Sequence, residues 1–127
     1  MQNLQNDRDR EITKSLLGAV DFLSDTIGAG WVGFDFSIKE YADRLDDDLS
    51  SAFREYTNAL KAAGEKGETH PKEKIRRAAL LDLASRMNNR DVTLFVNAII
   101  HAQENSLNIY QTLRSQSREL HEKLSSM

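Results

Sequence analysis

Apolar residues recur at helical spacing along most of the chain. Between residues 10 and 27 they fall every three or four positions, which places them on one face of a helix. That stripe consists of Ile12, Leu16, Val20, Leu23 and Ile27. Similar stripes follow in residues 49–60, 75–87, 92–102 and 109–124. No segment alternates apolar and polar residues over a length typical of a strand. The pattern predicts an all-α fold, a compact antiparallel bundle of about six helices.

Polar and glycine-containing breaks set the helix bounds that we predict. The six helices span residues 10–27, 38–45, 46–64, 71–87, 91–104 and 107–124. Asn6 or Asp7 is placed to cap the first of them. Residues 1–9 are polar and charged, so we expect a flexible N-terminal tail there. The remainder, residues 10–127, has the length of a single helical-bundle domain.

The segment between the first two helices is apolar for a connection. We expect a loop over residues 28–35, because glycines at its start favour a helix end. It carries three large apolar residues: Trp31, Val32 and Phe34. Ser37 and Glu40 have the spacing of a capping box, which predicts that the second helix begins there. The three apolar side chains either fold back over the end of the bundle or form an exposed patch for a partner.

Composition narrows the class of protein. The chain has 127 residues, of which 39% are apolar and 29% are charged, as in an ordinary globular domain. The net charge of −3 and the mixing of both signs argue against a nucleic-acid-binding surface. The absence of cysteine from the sequence excludes disulfides and thiolate zinc sites. No apolar run approaches the roughly 18–20 residues that a membrane-spanning helix needs.

Three patterns that could carry chemistry have simpler interpretations. The glycines at 28, 30 and 33 match a dinucleotide-binding spacing, but a helix precedes them where that motif needs a strand. Residues 46–48 are three consecutive aspartates, which favour a helix start through the helix dipole. His70, His101 and His121 are too scattered for a ligand set. We therefore predict no catalytic, cofactor-binding or metal-binding residue, and a chain that is not an enzyme.

A basic cluster opens the fourth predicted helix. It consists of Lys72, Lys74, Arg76 and Arg77. Positive charge at a helix N-terminus opposes the helix dipole, so the dipole does not account for it. The cluster is either a solvated helix face or a docking patch for an acidic partner surface or anionic phospholipid headgroups.

The region from residue 74 to 113 resembles the cytoplasmic repeat of the type II secretion system F family, including the tight-adherence pilus platform proteins. The matching positions are Ala79, Leu80, Leu83, Ala84, Arg86, Val96, Ala98, Ile99, Ala102, Ile109 and Leu113. The resemblance extends more weakly from Leu16 to Leu120. The chain departs from the family pattern at Ser106, where glycine is frequent, and at Asn105, where an apolar residue is frequent.

The resemblance implies a function for the chain. Such domains lie at the cytoplasmic face of the bacterial inner membrane, on a polytopic platform protein. The implied partners are the assembly ATPase and other platform subunits, with a homodimer as one possibility. The chain would then be a membrane-tethered part of a longer protein. The alternative is a free-standing soluble helical adaptor or regulatory protein, and apolar spans beside this region in the parent gene product distinguish the two.

Overall fold

The computed structural model describes residues 4–27, 31–65 and 72–126. Within these ranges it contains six helices and no strand. The helices are α1 (Leu4–Thr26), α2 (Trp31–Ala42), α3 (Asp48–Glu65), α4 (Lys72–Met87), α5 (Arg90–Glu104) and α6 (Ile109–Ser125). The predicted all-α bundle is therefore confirmed.

The helices form a closed antiparallel ring. Each helix packs on its neighbours in the sequence, and α6 returns to pack along α1. Thr13 near the middle of α1 and Lys123 near the end of α6 both bind Asp91, the second residue of α5. Further along, Asp21 of α1 binds Ser117 of α6. The bundle thus joins its first and last helices directly.

The apolar stripes meet in one continuous core. The predicted stripe of α1 is buried along its whole length, as are the central apolar residues of α3 to α6. The largest fully buried side chains include Phe34, Phe53, Phe95, Leu80 and Leu83. Close-packed side chains of this size supply most of the stability of a small helical domain.

The predicted start of α1 is wrong. The helix begins at Leu4, so residues 4–9, which we predict as a tail, form its first turns, and Asn6 and Asp7 lie inside the helix. Hydrogen bonds tie this segment to the end of α4 and the residue before α5. Asn89 Nδ2 donates to Asp9 Oδ1 at 3.2 Å, and Arg8 Nη1 donates to the Met87 carbonyl at 3.4 Å. Hydrophobic periodicity does not report such contacts.

The predicted start of α2 is also wrong. The helix begins at Trp31, seven residues before the predicted Ile38, and ends at Ala42. Ser37 is therefore a buried helical residue, not a cap, and its Oγ accepts a hydrogen bond from Thr26 Oγ1 at 2.9 Å. At the other end, Arg54 Nη1 donates to the Ala42 carbonyl at 2.6 Å, which satisfies a backbone group left free by the helix end.

Short polar residues cap the N-termini of α3, α5 and α6. Asp47 precedes α3 and its Oδ1 accepts from the Ser50 backbone N–H at 2.8 Å. Asn89 and Asn108 make the corresponding cap bonds at α5 and α6. These three bonds are the side-chain caps expected of such residues at helix N-termini. No helix in the described ranges is both long enough and apolar enough to cross a membrane.

Candidate interaction surfaces

Arg76, the third residue of the predicted basic cluster, is buried. Its side chain is 6% exposed and forms a two-point ion pair with Asp35 of α2, with Nη2 2.8 Å from Oδ2 and Nε 3.2 Å from Oδ1. Tyr56 of α3 donates to the same carboxylate at 2.7 Å. Arg76 Nη1 also donates to Gln103 of α5 at 3.0 Å. The prediction that Arg76 contacts a partner is therefore wrong, because this side chain belongs to a network that links four helices inside the bundle.

The electrostatics of this network follow from its burial. Burial alone lowers the pKa of Arg76, but the hydrogen bonds and negative charge of Asp35 outweigh burial and raise it. Burial, then the charge of Asp35, raises the pKa of the Tyr56 hydroxyl well above its usual range. Both groups therefore keep their protons at any physiological pH, which suits a fixed structural link.

The other three residues of the basic cluster differ in their surroundings. Lys74 is exposed. Arg77 is exposed and its Nη1 lies 2.8 Å from Glu104 Oε1 at the end of α5. Lys72 begins α4, and its side chain lies outside the described residues. The described part of the basic surface is therefore Lys74 and Arg77.

The apolar segment before Asp35 is the first turn of α2, not a loop. Phe34 is fully buried, so it belongs to the core and is not available as an exposed anchor. Trp31 and Val32 are helical in their backbone, and their side chains lie outside the described residues. The neighbouring Phe36 is 60% exposed on the outer face of the helix.

A groove of about 660 Å³ runs along the seam between α5 and α6. Its floor is apolar and is formed by Phe95, Ala98 and Leu120, with Leu94 beside it and 54% exposed. Arg90 and Glu119 lie on its rim. Periodicity could indicate this surface only through Leu94, which is apolar yet falls outside the buried stripe of α5. Nothing in the sequence indicates that Arg90 and Glu119 border a groove.

Asp91 closes one end of this groove. The carboxylate is 8% exposed and accepts from Lys123 Nζ at 2.6 and 2.8 Å and from Thr13 Oγ1 at 2.6 Å. Two donors thus make three hydrogen bonds to this buried carboxylate. The group therefore joins α1, α5 and α6.

A second, polar depression lies between α1 and α6. Its central carboxylate is Asp21, which accepts from Ser117 Oγ at 2.5 Å and lies 3.3 Å from His121 Nε2. Both the serine and the histidine therefore contact the same carboxylate.

The remaining candidate residues have local roles. In the aspartate triplet, Asp47 caps α3 and also accepts from Ser15 Oγ at 3.1 Å. Burial raises the pKa of Asp47, but the hydrogen bonds from Ser50 and Ser15 outweigh burial and lower it. His101 is exposed, with Nδ1 3.1 Å from Asn105 Nδ2. His70 and the glycines at 28 and 30 lie outside the described residues. Within the described ranges, no three histidine or carboxylate side chains are grouped to hold a metal ion.

Comparisons with protein-family models, with curated proteins and with solved structures find no match to this chain.

Proposed function

We propose that this chain is a non-enzymatic interaction domain at the cytoplasmic face of an inner-membrane platform protein, in type II secretion or tight-adherence pilus assembly. In this role the bundle acts as a rigid body. Its helix faces bind the assembly ATPase and neighbouring platform subunits.

One observation carries the proposal: the positions that resemble the F family form a single packed unit. The apolar ones that are buried are Ala79, Leu80, Leu83, Val96, Ile99, Ala102, Ile109 and Leu113. They lie on α4, α5 and α6, which pack in sequence order. The resemblance therefore follows the helical register of this domain, which supports using it as a guide to function.

The geometry also favours binding over catalysis. Among the described residues, the buried charged groups are Asp91 and Arg76, and both are held by several partners that join helices. Catalytic acids and bases instead need a free face toward a substrate. The exposed surfaces offer charge at Lys74 and Arg77 and apolar area at the α5–α6 groove, which are features of a protein-binding module.

Binding to the assembly ATPase tests this proposal. We expect the chain to bind the ATPase encoded with its parent gene, measured by biolayer interferometry. The Lys74→Glu, Arg77→Glu double variant should bind at least about tenfold more weakly, because reversed charge repels an acidic partner surface. Binding of the parent chain should weaken as the salt concentration rises.

The matched control reverses two exposed charges elsewhere, Lys61→Glu on α3 with Arg114→Glu on α6. It should bind like the parent chain. Circular dichroism and thermal melts establish that both variants fold. Failure of the parent chain to bind would count against the platform function. Equal binding by both variants would retain the function but exclude the start of α4 as the docking surface.

The parent gene product provides a separate test of the membrane context. The platform function requires apolar spans of about 20 residues near this region. Their absence from the full-length product would favour the free-standing adaptor or regulatory protein instead.

A further inference from the structure

Residues 43–48, which connect α2 to the first residue of α3, form an acidic surface with an exposed leucine among the charges. They include four aspartates and one arginine. Leu45 is 47% exposed. Asp43 and Asp48 are also exposed, and among the described residues neither forms an ion pair. We refer to residues 43–48 as the acidic turn.

The arginines beside the acidic turn are engaged with other groups. Arg44 lies 4.6 Å from the centre of the Phe22 ring on α1. Arg54 of α3 is 3.5 Å from Asp46 and donates to two backbone carbonyls around the end of α2. The negative charges of the acidic turn are therefore only partly neutralised within one copy of the chain.

The outer face of α4 has the opposite charge and a similar apolar residue. Lys74 and Leu81 are seven residues apart, about two helical turns, so they share a face, and Arg77 lies one turn before Leu81. Leu81 is 45% exposed. Lys74 forms no ion pair among the described residues, and the pair of Arg77 with Glu104 is exposed and therefore weak. We refer to Lys74, Arg77 and Leu81 as the basic face.

The acidic turn and the basic face match in spacing. Arg77 and Leu81 are four residues apart on a helix, which is a rise of about 6 Å. Asp43 is two residues from Leu45, so the two lie no more than about 7 Å apart along the chain. A contact that places Leu45 against Leu81 therefore brings an unpaired carboxylate within reach of a guanidinium.

These two surfaces lie at opposite ends of the bundle. Helix α3 begins at the acidic turn, and its 18 residues rise by about 27 Å. Helix α4 packs against α3 in the antiparallel direction, so it begins at the far end. One copy of the chain therefore cannot bring its own acidic turn to its own basic face.

We propose that the acidic turn of one copy binds the basic face of a second copy, in a head-to-tail arrangement. Each copy then keeps one surface of each kind free, so the contact continues into a ring or a longer chain. A second copy matches the basic face in charge and also supplies an apolar side chain for Leu81. An anionic lipid surface would match the charge of the basic face but would leave the acidic turn without a partner.

This inference deepens the proposed function, on which its biological meaning rests, because it identifies a contact between neighbouring platform subunits. Lys74 and Arg77 also meet the ATPase in that function, so a second copy and the ATPase compete for the basic face. Sedimentation equilibrium of the purified chain over about 5–500 μM covers the dissociation constants of weak and moderate contacts. We expect reversible self-association that proceeds beyond a dimer and weakens as the salt concentration rises.

Two neutralised variants provide the decisive test. The turn variant is Asp43→Asn with Asp48→Asn, and the face variant is Lys74→Gln with Arg77→Gln. Each alone should raise the dissociation constant at least about tenfold, because each removes the charges of one surface. In a mixture, the face variant supplies an intact acidic turn and the turn variant an intact basic face. The mixture should therefore form a one-to-one dimer with a dissociation constant within about threefold of the parent contact, and no larger species.

Matched leucine substitutions test the apolar part of the contact. Leu81→Ala should raise the dissociation constant at least about fivefold, because it removes the apolar residue of the basic face. Leu94→Ala removes a similarly exposed leucine from α5 and should leave self-association unchanged. Circular dichroism and thermal melts establish that every variant folds.

A chain that stays monomeric throughout the range would overturn the proposal. Self-association that either neutralised variant retains in full would also overturn it, as would a mixture that associates no better than its separate components. Self-association by a chain that does not bind the ATPase would reject the platform function while retaining this contact. ATPase binding by a chain that stays monomeric would retain the platform function and exclude the contact.

Discussion

Within the described residues, Asn88 and Ser106 adopt a left-handed backbone conformation, with φ of 46° and 53°. Both lie in the break after a helix. Asparagine tolerates this conformation, whereas serine has no such preference. The turn at Ser106 has the bonds of a Schellman motif, since the N–H of Leu107 donates to the Ala102 carbonyl at 2.8 Å and that of Ser106 donates to Gln103 at 3.3 Å. The hydrogen bonds of the helix end therefore impose the positive φ at Ser106, which serine does not itself prefer.

Replacing Ser106 with glycine should stabilise the protein. Glycine adopts positive φ without steric cost, and the gain exceeds its larger entropy loss on folding. We expect Ser106→Gly to raise the free energy of unfolding by about 0.5–1 kcal/mol in chemical denaturation. Ser115→Gly, in the interior of α6, is the control and should lower it by about 0.5 kcal/mol. If the Ser106→Gly variant is no more stable than the parent chain, the positive φ does not strain the serine backbone at this position.

At the scale of the helix, buried polar residues decide details that apolar periodicity does not. The buried positions Phe34, Ile38 and Tyr41 have helical spacing, which is consistent with a helix that begins before residue 37. The preceding glycines and the apparent capping box instead favour a later start. The earlier start is stabilised by tertiary contacts, because Phe34 and Ile38 pack into the core and Asp35 binds Arg76. Tertiary contacts thus override local signals.

The same reasoning explains which site residues could be predicted. Arg76 lies three residues before Ala79 and four before Leu80, on the buried stripe of α4, and this position is the available sign that its charge is internal. Its partner Asp35 is 41 residues away, and nothing in the sequence pairs them. Periodicity defines faces of single helices, whereas an ion pair between helices or a groove depends on how those faces are assembled.

Removing the buried guanidinium should destabilise the bundle strongly. Arg76→Ala leaves the Asp35 carboxylate without its ion-pair partner in a largely buried site, so we expect a loss of about 3–5 kcal/mol in chemical denaturation. Arg77→Ala is the control: its exposed pair with Glu104 should contribute less than about 1 kcal/mol. In a double-mutant cycle, Asp35→Ala combined with Arg76→Ala should cost less than the sum of the single losses. Additive losses would mean that the two residues do not stabilise each other.

At the scale of the whole molecule, stability depends on the closure of the ring. The predicted stripes of five helices are buried together in one core, and the contacts of α6 with α1 make the first and last helices part of the same unit. We therefore expect the domain to unfold in a single cooperative transition, in which loss of packing anywhere in the core lowers the stability of all six helices.

Matched leucine and phenylalanine substitutions test this assignment of core and surface. Leu83 on α4 and Phe95 on α5 are each 1% exposed, whereas their neighbours Leu81 and Leu94 are 45% and 54% exposed. Leu83→Ala and Phe95→Ala create cavities, so each should lower the free energy of unfolding by about 2–5 kcal/mol in urea titrations followed by circular dichroism. Leu81→Ala and Leu94→Ala remove side chains of similar size from the surface and should each cost less than about 1 kcal/mol. The contrast separates the effect of burial from that of helix propensity, because all four substitutions introduce alanine, the best helix former. A Leu83→Ala or Phe95→Ala variant within about 0.5 kcal/mol of its surface counterpart would place that side chain outside the core.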